Sequence, residues 1–550
     1  MALLVALLGE STAQAAVNIS DKPTKHMSCS AGVCSPTAKK AVLNATDLAN
    51  MLQVSDVKLT TGSGALMIKI VSGLSWASAN RLTLDANCNV SVKAPVTVAG
   101  PGGLTIVTND GGSGCDLVFF PSGKIDFWDL SSSLVINGMG YTLVNNIKTL
   151  ASNVASNPSG SYALSGDYDA TFDGAYVSSP VATCLTGSFE GLGHTISNLK
   201  IHVSRTEQNY VGFFACISGI ARDTQLANAD IENLLGYARS LAAFAGGNGG
   251  TITNVGASGK LIGRTLLKGG LIAENGGNVY RCWTDISISW SSGPSDREGE
   301  RGVLGGLVGE NTGTIELSSA HGPVLGRNED NIGGLVGGNL GLIDHSNASG
   351  AVTGRRYVGA LVGYNNGQIT NTYATGDVTS SDGDAIHAGG GLAGFNGILI
   401  SNSFSTSLVN AGTQGNTGGL VGINSGAIEN SYASGNPASA QAGGLVGLND
   451  KSAAILSSYS IGHPTASVAG GLIGDDEVPG TGVADYWDLD TSGINDPSQG
   501  AGNIANDPGI TGLSDAQLKS ELPAGFDPAI WGQSPSINNG YPYLLANPPP

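Results

Sequence analysis

Positive charge is scarce in this 550-residue chain: Lys and Arg number 25 against 43 Asp and Glu, a net charge of −18. So few cations cannot neutralise a phosphate backbone, so nucleic acid is not an expected partner. Charged residues make up only 12% and hydrophobic ones 41%, the reverse of a disordered composition. Cysteine is confined to positions 29, 34, 88, 115, 184, 216 and 282. With no CxxC pair, and with seven scattered histidines, no metal site is expected beyond weak Ca2+ binding. HExxH, GxSxG and Walker A motifs are all missing, which removes the commonest peptidase, esterase and nucleotide signatures. Past the N-terminal apolar run, no stretch is long enough to span a bilayer as a helix.

Glycine, by contrast, is abundant at 84 residues, against a usual share of ~7%. It has no Gly-X-Y period, which excludes collagen, but it recurs in a longer one. Clear copies begin at Gly305 (GGLVGENTG), Gly333 (GGLVGGNLG), Gly359 (GALVGYNNG), Gly390 (GGLAGFNG), Gly418 (GGLVGINSG) and Gly443 (GGLVGLND). Their starts lie 28, 26, 31, 28 and 25 residues apart. One such unit cannot bury its own apolar side, whereas stacked units align like residues into continuous ladders. Short apolar runs broken by glycine, without a 3.6-residue period, point to strands. The expected fold is therefore all-β: a parallel β-helix, or solenoid, with repeats of ~25–31 residues and few short helices.

Three columns stand out, the second trailed by an aromatic column. Leu307, Leu335, Leu361, Leu392, Leu420, Leu445 and Leu472 are expected to point inward from a strand. Ile252, Val279, Ile315, Ile343, Ile369, Ile400, Ile428 and Ile455 form the second, followed four residues later by Trp283, Tyr373, Phe404, Tyr432, Tyr459 and Trp487. The third holds Asn248, Asn275, Asn311, Asn339, Asn365, Asn396, Asn424 and Asn449. Stacked asparagines can bond from coil to coil and tolerate left-handed backbone, so this column reads as a structural turn ladder rather than a ligand ladder.

The repeated Gly-Leu-x-Gly core resembles the GLUG repeat of bacterial surface exoproteins, over about half the chain. Gly187-Ser-Phe-Glu-Gly-Leu-Gly-His-Thr-Ile-Ser-Asn-Leu-Lys-Ile201 looks like the entry to such an array, and Ile537-Asn-Asn-Gly-Tyr-Pro-Tyr543 resembles its end. Ile125-Asp-Phe-Trp-Asp-Leu130, Tyr162-Ala-Leu-Ser-Gly-Asp167 and Tyr486-Trp-Asp-Leu-Asp490 are similar to segments of filamentous-haemagglutinin-like exoproteins. The resemblance implies a right-handed parallel β-helix and an adhesive role at a cell surface. Asn-Pro-Asn-Gly and Leu-Pro-x-Thr-Gly motifs of export and anchoring do not occur.

Along the chain, residues 1–15 read as a signal peptide, with Ala13-Gln14-Ala15 as cleavage site, although no Lys or Arg precedes the apolar run and the true start is expected upstream. Residues 16–186 are expected to form an irregular solenoid and cap, 187–490 the repeat array, and 491–550 a C-terminal cap or tail. An exported chain permits disulfides. Cys29, Cys34, Cys88, Cys115, Cys184 and Cys216 are the candidates, in pairings that sequence leaves open, with Cys282 a buried thiol. Helical turns are expected at 45–52 (capped by Thr46 or Asp47), between 143 and 164, and at 514–519. Tail aromatics Phe526, Trp531, Tyr541 and Tyr543 are expected to cover the open core of the last coil.

The expected function is non-catalytic attachment or biofilm contact, secreted or at the cell surface, toward a host-cell, bacterial-surface or glycan ligand. The alternatives are a polysaccharide lyase or glycoside hydrolase on a β-helix, or a structural spacer. Catalysis would need clustered acids or a base beside Arg or Lys. Asp377, Asp382, Asp384 and His387, with Arg355 and Arg356 one coil earlier, are the one grouping of that kind. Asp475, Asp476 and Glu477 read as a loop, Gly111–Leu117 as a turn rather than a calcium motif, and His194 as structural.

Overall fold

The computed structural model describes residues 15–62, 65–109, 114–204, 208–234, 238–290, 302–326, 330–380, 387–412 and 415–550. Of the expected signal peptide only Ala15 is among them, and Asp382 and Asp384 lie outside. The chain divides into two compact units, residues 1–172, 185–197 and 219–225, and residues 173–184, 198–218 and 226–550. Each is a parallel β-solenoid, so the expected fold class holds.

In the first unit, Ala16–Ser20, Met67–Ile70, Val90–Val92 and Leu117–Phe119 stack in parallel on one face. On another, Leu82, Leu104 and Leu134 align in register. The alternation in Arg81–Asp85 buries Leu82 and Leu84 and leaves Arg81, Thr83 and Asp85 partly exposed. Helix α1 (Ala45–Val54) buries Leu48 and Leu52, but its cap is Asn44, whose side chain accepts from the Thr46 and Asp47 amides. The helix begins at Ala45 as expected but its cap lies before Thr46 and Asp47, so Asp47 falls in the first turn, where its carboxylate accepts from Thr24 at 2.6 Å. Helix α2 (Ile147–Ser156) is capped by Asn146.

The cysteines pair as 29–34, 88–115 and 184–216, and Cys282 is a buried thiol. Cys88–Cys115 closes a loop of 27 residues between successive coils. Replacing both by serine should destabilise the first unit by about 3–4 kcal/mol, the loop-closure value, read as a lowered urea midpoint.

In the second unit, each repeat contributes one strand to each of two ten-stranded parallel sheets. The first runs from Gln208–Val211 to Val468–Gly470, the second from Phe214–Ile217 to Ile473–Asp476. The inward leucines, all 0% exposed, sit at the corner between these two strands rather than within a strand. The glycines of GGLVG explain that corner. A Cβ on Gly305 would lie 1.8 Å from the Val308 carbonyl oxygen, and one on Gly337 would lie 2.7 Å from the Leu304 oxygen. The two strands fold back on each other at backbone distance, so these glycines are needed for space and not for positive φ.

Left-handed backbone belongs to a different column, two residues after the Ile column: Asn254, Arg281, Leu317, His345, Asn371, Asn402, Asn430 and Ser457, with φ between 44° and 53°. The ladder asparagines instead end the strands of the second sheet. From Asn248 to Asn449 each donates its amide to the next asparagine's carbonyl, at 2.7–3.0 Å. A second buried polar ladder, not foreseen from sequence, runs beside the Ile column. The amides of Cys282, Ser318, Thr372, Ser403 and Ser431 each donate to a hydroxyl on the following coil.

The aromatic column is offset at its end. Tyr373, Phe404, Tyr432 and Tyr459 stack at centroid distances of 4.8–5.2 Å, and the next residue in register is Tyr486. Trp487 pairs with Ser460, is 0% exposed and packs on Gly471 inside the coil. Because Trp487 already fills the interior, the tail aromatics do a different job from the one expected. Phe526, Trp531 and Tyr541 lie along the outward stack of Phe404, Tyr432, Tyr459 and Tyr486, whereas Tyr543 is outside that cluster. Helix α3 (Asp515–Ser520) in this tail matches the helical turn expected at 514–519 and has a capping box of Ser514 and Gln517.

Both ladders end on aspartates. Asn449 donates to Asp476, and the Ser458 amide donates to Asp485 at 2.9 Å. Burial pushes the Asp485 carboxyl up to about 8, and burial together with the neighbouring Asp476 raises that of Asp507. Groups protonated more readily folded than unfolded stabilise most at low pH and lose that effect as pH rises through the folded value. Asp167 in the first unit has the opposite sign. Its hydrogen bonds from His194 and Lys124 hold its carboxyl well below the usual range, so its contribution is lost in acid. Hydrogen-exchange protection near Asp485 should therefore rise as pH falls from about 8 to about 4 once intrinsic exchange is corrected, while protection near Asp167 falls below about pH 4.

Candidate functional site

Of the grouping expected to offer catalysis, Asp377 and Arg356 have partners elsewhere among the described residues. Asp377 accepts from the Leu408 amide at 3.3 Å, and His387 is 1% exposed. Arg356 pairs with Asp330 at 3.4 Å and lies over the Tyr357 ring. Asp475 and Asp476 form the end of a strand and not a loop; Gln441 donates to Asp475, while Asp476 belongs to the asparagine ladder. Asp116, in the stretch read as a turn, is held by Arg222 through two 2.9 Å bonds. Arg222 also bonds the buried Glu190 at 2.6 Å, within the first unit. His194 is buried, with Nε2 2.8 Å from the Ile125 carbonyl oxygen and Nδ1 3.2 Å from Asp167.

Sequence reading missed two clusters because their members sit on different coils. His202, Asp230 and Glu232 bring donor atoms within 4.8 Å of one another. Register places His202 opposite Glu232. Lys260, one coil on, puts its ammonium 3.1 Å from Asp230 and 3.2 Å from Glu232. A cationic side chain thus already sits against both carboxylates.

The second cluster is a column on the second sheet. In-register pairing aligns Glu274, Glu310, Gly338, Tyr364 and Phe395 on successive coils. Their side chains alternate with buried neighbours such as Asn311 and Asn365, which places them on the outer face. Glu274 is well supplied, accepting from Ser240 at 2.6 Å and Tyr210 at 3.2 Å, with Arg239 at 3.9 Å. Glu310 has no hydrogen bond or ion pair among the described residues, and burial with the nearby Glu274 raises its carboxyl pKa. The Tyr364 and Phe395 rings stack 4.7 Å apart at 5°.

The repeat that builds these columns has a recognised relative. Residues 354–379 match the GLUG motif. These residues make one coil of the second unit. Over 256 residues the chain is 29% identical to halomucin of Haloquadratum walsbyi, which covers 44% of this chain but only 3% of halomucin. Among solved structures, an IgA1 protease matches with a TM-score of 0.32 and 18% identity, over 56% of this chain and 21% of that one. A candidate immunoglobulin A1 protease from Bacteroides ovatus matches with a TM-score of 0.26 and 15% identity, over 74% and 92%. Such low scores carry no functional argument. No helix among the described residues is long and apolar enough to cross a membrane.

Proposed function

We propose that this GLUG-repeat solenoid is an extracellular, cell-surface attachment protein of filamentous-haemagglutinin-like type that binds without turnover. The observation that carries this reading is the register itself. Coil after coil places outward side chains in straight columns, and those columns change chemistry along the array from carboxylate to aromatic. A solenoid so built offers an extended, pre-formed surface, with little ordering left to oppose binding. Asp377 and Arg356 each have partners outside the grouping expected to offer catalysis, an amide and Asp330, which favours binding over catalysis. A glycan array read alongside a reducing-end and unsaturated-sugar assay tests it. Retention of a glycan or cell surface without product is expected; product release would replace this reading with an enzyme, and no binding at all would leave a spacer.

A further inference from the structure

Between Glu310 and Tyr364 the outward column holds only Gly338. Parallel strands lie ~4.8 Å apart, so two spacings, about 9.6 Å, separate the carboxylate's coil from the ring's. Phe395 stacks on one face of Tyr364, and the position beyond the other face carries no side chain. One wall is apolar, since Val303 Cγ1 lies 3.6 Å from where a Gly338 Cβ would stand. A pyranose ring whose C–H face lies on an aromatic plane stands about 4 Å from it, so one such ring fits the interval.

The charge in this notch selects its occupant. Glu274 has its own partners, whereas among the described residues Glu310 has no hydrogen bond or ion pair and feels the Arg239 charge without contact, and a half-buried carboxylate gains from a cation that brings its own hydrogen-bond donors. A uronate or sialic acid would add a third anion beside Glu274 and Glu310 and is disfavoured. A neutral or N-acetylated sugar leaves Glu310 without a contacting cation among the described residues. We infer that the notch holds a hexosamine unit of a glycan, its ring stacked on Tyr364 and its free ammonium on Glu310. This rests on the attachment reading and names the chemical class of its ligand.

Titration calorimetry of the full chain with a glucosamine hexamer tests it, against the N-acetylated hexamer, a galacturonate hexamer and hexalysine. The free-amine hexamer is expected to bind at least about tenfold tighter than the other three, the scale of one charge-assisted contact. Glu310→Gln and Tyr364→Leu should each weaken it by about tenfold. Gly338→Leu should fill the notch and abolish binding without unfolding the coil, because Ile423 and Leu448 occupy the same column. Melting temperatures report folding of each variant. Equal binding of hexalysine, or unchanged affinity in Tyr364→Leu and Gly338→Leu, would overturn the inference. If the parent chain ignores glucosamine yet retains another glycan on the array, this inference falls alone; if it retains nothing, the attachment reading falls with it.

Discussion

Asn365→Leu is expected to destabilise the second unit by about 4 kcal/mol, an effect set by orphaned partners rather than by lost volume. Asn365 is 0% exposed and accepts from Asn339 at 2.8 Å while donating to Asn396 at 2.8 Å. It also bonds the Gly367 amide and carbonyl at 3.3 and 3.2 Å. Leucine would leave one donor on Asn339 and one acceptor on Asn396 without their ladder bonds, each costing about 1–3 kcal/mol when buried. The turn at Gly367 loses its local clamp as well. A Lys451→Ala substitution on an exposed turn should shift stability by less than about 0.5 kcal/mol and serves as the comparison. Urea unfolding followed by circular dichroism checks both. An Asn365→Leu chain as stable as the parent would mean that the ladder bonds add nothing beyond the turn.

Gly333→Val should be more severe. A Cβ there would lie 1.9 Å from the Val336 oxygen and 2.7 Å from the Leu361 oxygen, both backbone atoms that cannot rotate away. Relieving that overlap requires the corner of one coil to open, and the coil above is paired to it through Gly359. The expected outcome exceeds about 4 kcal/mol, the range reserved for disrupted cores and strained backbone, and local loss of the array around residue 333. Hydrogen exchange should show unprotected amides on the coils of Gly305, Gly333 and Gly359, with the first unit unchanged. Gly338→Ala, only 3.6 Å from a valine methyl, should be close to neutral in the same assay. A Gly333→Val chain with parental protection would contradict the close approach of the two strands.

Much of the second unit was legible because stacking multiplies each signal. A leucine, isoleucine or asparagine that recurs at one column must meet its own kind in the fold, and these three do. The serine ladder escaped notice because its members change identity, from Cys282 through Ser318, Thr372 and Ser403, while only the hydroxyl position is shared. The left-handed column was missed for a similar reason: Arg281, Leu317, His345 and Asn371 share a backbone angle and no side-chain property. Trp487 was assigned to the aromatic column where Tyr486 belongs, since spacing alone cannot separate adjacent aromatics facing opposite ways. The Glu274–Glu310 column was hidden because its members change identity from Glu through Gly to Tyr and Phe, although it runs one residue ahead of the legible asparagine column. The tail was read as a plug because the sequence shows its aromatics but not the exposed stack they cover.

The claim on which everything else depends is in-register stacking of successive coils, and paired cysteines measure it directly. Thr370 and Ser401 are partners on neighbouring strands, as are Ser401 and Glu429, so Thr370 and Glu429 stand two strands apart. A disulfide needs Cα atoms within about 7 Å, which one strand spacing satisfies and two do not. In a chain with Thr370→Cys and Ser401→Cys, mild oxidation should form the cross-link nearly to completion, whereas Thr370→Cys with Glu429→Cys should stay reduced. Equal oxidation of both pairs, or of neither, would contradict the stacked solenoid.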